Sequence, residues 1–83
     1  MKNLMKVVLA DADEGFRMML QRVIEAAGDF KVAGSTGNGA DAWRIIEREC
    51  PQLVIMDVLL PELDGFVLLN RLAAMAERPR AIL

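Results

Sequence analysis

The sequence predicts an α/β fold, a parallel sheet with helices on both faces, and three observations carry that reading. Two short apolar runs rich in branched residues, KVVLA at 6–10 and LVIM at 53–56, have the length and composition of buried strands. A helical stripe of apolar residues follows the first of them. Strands and helices then alternate as β-α-β-α-β-α, an order that demands right-handed crossovers between parallel strands.

Taken in order, the first strand is Lys6 to Ala10, followed at once by the acidic DADE. From Phe16 the apolar positions Phe16, Met19, Leu20, Val23, Ile24 and Ala27 recur at alternating steps of three and one. That spacing makes an amphipathic helix, and Gly28 stops it as a C′ residue. Phe30 to Ser35 alternates weakly and reads as a second strand. TGNG makes a loop, and Asp41 to Glu49 forms a helix with Ala42, Ile45 and Ile46 facing inward, ended by Pro51.

Leu53 to Met56 is the third strand, and the loop from Asp57 leads into a helix over Gly65 to Glu77. Its inward positions are Phe66, Leu69, Leu72, Ala73 and Ala76. Val67 and Leu68 add apolar surface beyond that stripe, and such a patch left exposed predicts self-association or low stability. After Pro79, Ala81-Ile82-Leu83 begins a fourth strand that stops short of the about 4 to 8 residues such strands need. The chain therefore reads as a piece cut within a larger domain.

Eighty-three residues, 54% of them hydrophobic, with a net charge of −2, make at most one globular unit. A chain of this size buries about 60 to 65% of its unfolded surface, which leaves a marginal core. The single Cys50 forms no internal disulfide and histidine is absent, so no Cys/His metal cluster exists and a reducing, cytoplasmic compartment is the default. No apolar run approaches the roughly 20 residues of a membrane span, and the first residues lack the core of a signal peptide. Slight acidity without a Lys/Arg cluster argues against direct nucleic-acid binding.

The chemistry lies in two acids. In an open parallel sheet, ligands bind beyond the carboxyl ends of the strands, where strand order reverses. Asp11 and Asp57 both stand at such ends. With the order 2-1-3 they converge, and at ~5 Å with an effective dielectric of ~20 they repel by roughly 3 kcal/mol. A cation between them resolves this, and Mg2+ suits because it takes one or two carboxylates and keeps positions for water and phosphate oxygens. A carboxylate is also a competent nucleophile for phosphoryl transfer. Pro61 pushes Leu60 into an extended conformation, Asp64 caps the next helix and Gly65 relieves crowding, so these three shape the pocket without doing chemistry.

DVLLPELDG at 57–65 matches the D-x-x-x-P-x-x-D-G signature of the receiver domains of two-component response regulators. VVLAD at 7–11 resembles their first strand with its terminal acid. The resemblance covers residues 1–83 in element order, as a partial receiver of the flavodoxin-like (CheY-like) fold with strand order 2-1-3-(4), truncated in the fourth strand. Within the family, the wording is closest to receivers of sporulation regulators. The resemblance implies that Asp57 is the phosphoacceptor, that Asp11 belongs to the magnesium pocket, and that the backbone carbonyl of Leu59 is a metal ligand. It further implies a histidine kinase or phosphorelay protein as phosphodonor and an output domain, commonly DNA-binding, outside these residues.

Two departures from the family pattern stand out. A second acid usually follows the first directly, and here Ala12 takes that place with Asp13 one further on. Asp13 is read first as the N-cap of the helix and second as a substitute ligand. The Thr or Ser ending a fourth strand and the Lys ending a fifth, which the family uses to sense phosphorylation, fall beyond Leu83. Two rival readings stay open: a pseudo-receiver that binds protein without phosphate, favoured by Ala12, and a phosphatase of the haloacid-dehalogenase type. The latter's D-x-D motif is similar to Asp11-Ala12-Asp13, although Gly15 stands where it needs Thr. The glycines of GSTGNG at 34–39 lack the Lys-Ser/Thr of a phosphate loop and read as plain loop.

Overall fold

The computed structural model describes residues 3–83. Its elements are β1 (Met5–Ala10), α1 (Glu14–Ala26), β2 (Phe30–Thr36), α2 (Gly39–Glu49), β3 (Leu53–Met56), α3 (Gly65–Ala73) and β4 (Arg80–Ile82). The four strands form one sheet in the order β2-β1-β3-β4 with every pairing parallel. β1 and β3 are central, which is why their sequences are almost purely apolar: both faces of a central parallel strand are covered. The register of β1 on β2 slips after Val7, leaving Ala33 as the extra residue of a bulge.

Alternation along β1 and β3 sends Val8, Ala10, Val54 and Met56 to one face, where they join Ala42 and Ile46 of α2, Leu68 and Leu72 of α3, and Leu60. This is the main core, and every residue of it is at most 7% exposed. Arg71 of α3 lies 5.4 Å from the ring of Trp43 on α2, a cation–π contact between the two helices.

The opposite face carries only α1 among the described residues, and here the expected burial fails. No residue of α1 is buried, and Phe16, Met19 and Val23 remain 42%, 54% and 62% exposed. One helix meets less sheet than its six-residue stripe can cover, so only the line through Leu20 and Ile24 is half-buried. α3 corrects the sequence reading in phase as well as length. Leu68 and Leu72, an i, i+4 pair, enter the core, while Phe66 and Val67 are exposed. The phase is set at the start, where Asp64 Oδ1 accepts from the Phe66 amide at 2.8 Å. The helix stops at Ala73, not Glu77, because Ala74 and Met75 turn their amides to Arg71 and Leu72 in tight i→i−3 bonds.

α2 ends on a residue that strains the chain. Cys50 adopts φ 47°, ψ 59°, the left-handed position usually given to glycine, and its amide closes the helix on the Ile46 carbonyl at 2.9 Å. Pro51, buried behind it, disfavours right-handed helix at this position. Glycine removes the Cβ conflict, so Cys50→Gly is expected to raise stability by about 1 kcal/mol whereas Cys50→Ala gains nothing. The shift in the urea midpoint of the two variants measures this. Beside this corner, Arg48 and then Lys6 hold the Glu49 carboxyl below the usual carboxylate range.

Candidate functional site

The ladder of β1 on β3 pairs Ala10 with Met56. One residue further along both strands stand Asp11 and Asp57, level with one another on neighbouring strands about 4.8 Å apart. Two backbone bonds extend the sheet to this rim: the Asp57 amide donates to Ala10 at 2.8 Å and the Asp11 amide to Thr36 at 3.0 Å. Both residues line the same cavity of about 220 Å3, with Arg17 and the apolar Leu9, Phe16, Leu20 and Ile55 among its walls. The strand order expected from the sequence therefore sets the two acids on neighbouring strands at one end of the sheet.

The two acids use the same local device. Asp11 Oδ1 accepts from the Asp13 amide at 2.9 Å, and Asp57 Oδ1 from the Leu59 amide at 3.1 Å. Each carboxylate thus orients itself by bonding the backbone two residues on, as aspartates in tight turns do. Among the described residues neither Oδ2 forms a hydrogen bond within the chain.

The remaining residues singled out from the sequence lie around this rim. Asp13 is the N-cap of α1, its Oδ1 accepting from the Phe16 amide at 3.1 Å. Leu59 presents a side chain 75% exposed. Asp64 caps α3, and the Gly65 amide donates to Val58 at 2.9 Å, folding the loop tightly after Asp57. A Cβ on Gly65 would meet Val58 Cα at 2.4 Å and the Asp57 carbonyl oxygen at 2.8 Å, so only glycine fits. The Pro61 carbonyl accepts from the amides of both Gly39 and Leu63, at 3.0 and 2.9 Å. GSTGNG is no phosphate loop: its first three residues end β2, and Asn38 caps α2 through the Asp41 amide at 2.9 Å.

Arg17 was not legible as a site residue. Its Nη1 donates to the Asp11 carbonyl at 2.6 Å and its Nε to Ser35 Oγ at 3.1 Å. The sole sequence signal is its place, one helical turn after the Asp13 cap.

The donor set fits magnesium in kind. Two carboxylates on one cavity meet the ion's preference for one or two protein acids with water completing the octahedron. No group of three or more His, Cys, Asp or Glu residues placed to hold a metal occurs among the described residues. No described helix is long and apolar enough to cross a membrane.

A parallel four-stranded sheet of order β2-β1-β3-β4 flanked by helices is the flavodoxin-like fold of the CheY-like class. Residues 7–83 match the family described as the response regulator receiver domain, and the chain belongs to it. It is 36% identical over 66 residues to the response regulator Rre1 of Synechocystis, covering 80% of this chain and 28% of that protein. It is 39% identical over 70 residues to a protein-glutamate methylesterase/protein-glutamine glutaminase of Nitrobacter hamburgensis, covering 84% of this chain and 18% of that protein. Among solved structures, a LuxR-family DNA-binding response regulator from Staphylococcus aureus superposes with a TM-score of 0.88 at 27% identity, over 94% of this chain and 65% of that one. The response regulator domain of Thermotoga maritima CheB gives 0.83 at 26%, over 92% and 57%. The chain thus spans under a third of the two curated relatives and about two thirds or less of the two solved chains. Receiver domains are signalling modules whose standard function is to accept a phosphoryl group, generally with Mg2+.

Proposed function

We propose that Asp57 is the phosphoacceptor of this receiver, taking its phosphoryl group from a histidine kinase or phosphorelay protein in the cytoplasm. The observation that carries the reading is that Asp57 shares one cavity with Asp11 at the rim of adjacent strands. A carboxylate oxygen of Asp57 attacks phosphorus, the P–N bond of the donor phosphohistidine breaks, and the imidazole leaves with its electron pair. That imidazole departs neutral because its other nitrogen already carries a proton. With acetyl phosphate as donor, a P–O bond breaks and acetate leaves.

Asp11, Asp57 and the Leu59 carbonyl are the groups that would hold Mg2+, with Asp13 as the substitute for the acid absent at position 12. Bound magnesium supplies positive charge to the oxygens of the transferring group. The chain's own part is orientation: the Leu59 amide fixes the Asp57 carboxylate, and Gly65 holds the loop against Val58. The longer relatives support an output domain beyond these residues. One of them is named as a transcriptional regulatory protein and another as a methylesterase, so its class stays with those proteins.

The test incubates the chain with Mg2+ and acetyl phosphate and maps the acyl phosphate by peptide mass. Label on Asp57 is the expected result. Label on Asp11 instead supports the phosphatase-like reading, and absence of label in a longer parent chain that carries the fourth and fifth strands supports the pseudo-receiver that Ala12 favours.

A further inference from the structure

We infer that Arg17 is the positioning residue of the acid pocket, and that it holds the Asp11 turn in the form that binds the divalent cation. Three bonds close a ring around that turn. The Asp13 amide donates to Asp11 Oδ1 at 2.9 Å, the Arg17 amide donates to the Asp13 carbonyl at 3.0 Å, and Arg17 Nη1 returns to the Asp11 carbonyl at 2.6 Å. The guanidinium reaches past the ring as well, since its Nε donates to Ser35 Oγ at 3.1 Å on β2. One side chain therefore ties the first turn of α1, the end of β1 and the end of β2 into a single unit.

Gly37 lies against it: a Cβ there would stand 3.0 Å from Arg17 Nη1 and 3.6 Å from both the Asp11 carbonyl oxygen and Ala12 Cα. The guanidinium thus lies beside the residue that has lost the family's second acid. Both of its hydrogen-bond partners are uncharged, and among the described residues it forms no ion pair. An arginine tied to neutral oxygens, with acids close by, is serving geometry rather than charge pairing, and its planar fork is what lets one group address two partners. With one acid fewer to grip a metal, the remaining carboxylate must be held more firmly. Groups that orient a ligand from behind typically govern metal affinity or activity by about 10- to 100-fold.

The inference rests on the reading of Asp11 and Asp57 as a magnesium pocket, and the experiment separates the two. Mg2+ alone is titrated by calorimetry into the 83-residue chain and into Arg17→Lys, which keeps the charge and loses the fork. Arg22→Lys on the same helix serves as the control, and metal-free melting temperatures are recorded for all three. The expected result is a dissociation constant about tenfold higher for Arg17→Lys, with its metal-free melting temperature and the Arg22→Lys affinity unchanged. Ser35→Ala weakens binding in the same direction. Equal affinity in the parent chain and Arg17→Lys overturns the inference while leaving the pocket standing. A melting temperature that falls with the affinity also overturns it, by reducing Arg17 to a structural brace. A parent chain that takes up no Mg2+ sinks the pocket and this inference together.

Discussion

Asp57→Asn is expected to take up no phosphoryl group from acetyl phosphate while folding as the parent chain does. The substitution separates chemistry from structure because asparagine keeps an oxygen where Asp57 Oδ1 accepts the Leu59 amide. The turn after β3 survives, and so does the bond from the residue 57 amide to Ala10. What is lost is a nucleophile, since an amide oxygen does not form an acyl phosphate, and one of the two negative charges on the cavity. Magnesium binding reports the second loss independently. A ligand at 100 times its dissociation constant stabilises the folded state by about 2.7 kcal/mol, and raising that constant tenfold leaves about 1.4 kcal/mol. The magnesium-dependent rise in melting temperature should therefore shrink to about half or less in Asp57→Asn, and chelation should abolish it in the parent. Persistent labelling of the variant, mapped to Asp11, would remove Asp57 from the mechanism.

The fold was largely legible because its strongest signals are local. Strand β3 carries the boundaries read from its four apolar residues, and the sheet order follows from topology rules that leave few alternatives. The two acids were legible for the same reason: each ends an apolar strand, where an unused charge is costly. Misreadings arose where burial depends on a neighbour. The stripe of α1 is real as a pattern, yet Phe16, Met19 and Val23 stay exposed because a single described helix covers that face. In α3 the helix phase is fixed by Asp64 and the close approach of Gly65 to Val58, neither of which alters the apolar spacing, so Leu68 was placed outside and Phe66 inside. Arg17 escaped because its role depends on Ser35, 18 residues away and on the far side of β1.

Gly39→Ala is expected to cost on the order of 3–5 kcal/mol, a large fraction of what a chain of this length has. At roughly 0.05–0.15 kcal/mol per residue, a domain of this size is stable by about 4–12 kcal/mol. A Cβ at position 39 would sit 1.7 Å from the Leu63 carbonyl oxygen and 2.9 Å from Leu63 Cβ. The obstacle is backbone, so no side-chain rotation relieves it. Either the loop after β3 retreats, or the bond from the Gly39 amide to the Pro61 carbonyl breaks at about 1 kcal/mol. Retreat of the loop also disturbs Leu60, which is 93% buried in the main core next to it.

Gly28→Ala isolates the alternative cause. That glycine has φ 83° with nothing within 4 Å of its prospective Cβ, so alanine there meets conformational strain alone, about 1 kcal/mol. Urea unfolding followed by Trp43, the sole tryptophan and a residue of α2 itself, measures both variants on one probe. A loss at Gly39 severalfold larger than at Gly28 means that the start of α2 and the Pro61–Leu63 loop form one rigid seat beneath the Asp57 turn. Equal losses would mean that the loop yields freely, and the acid it carries would then have to be positioned from β3 alone.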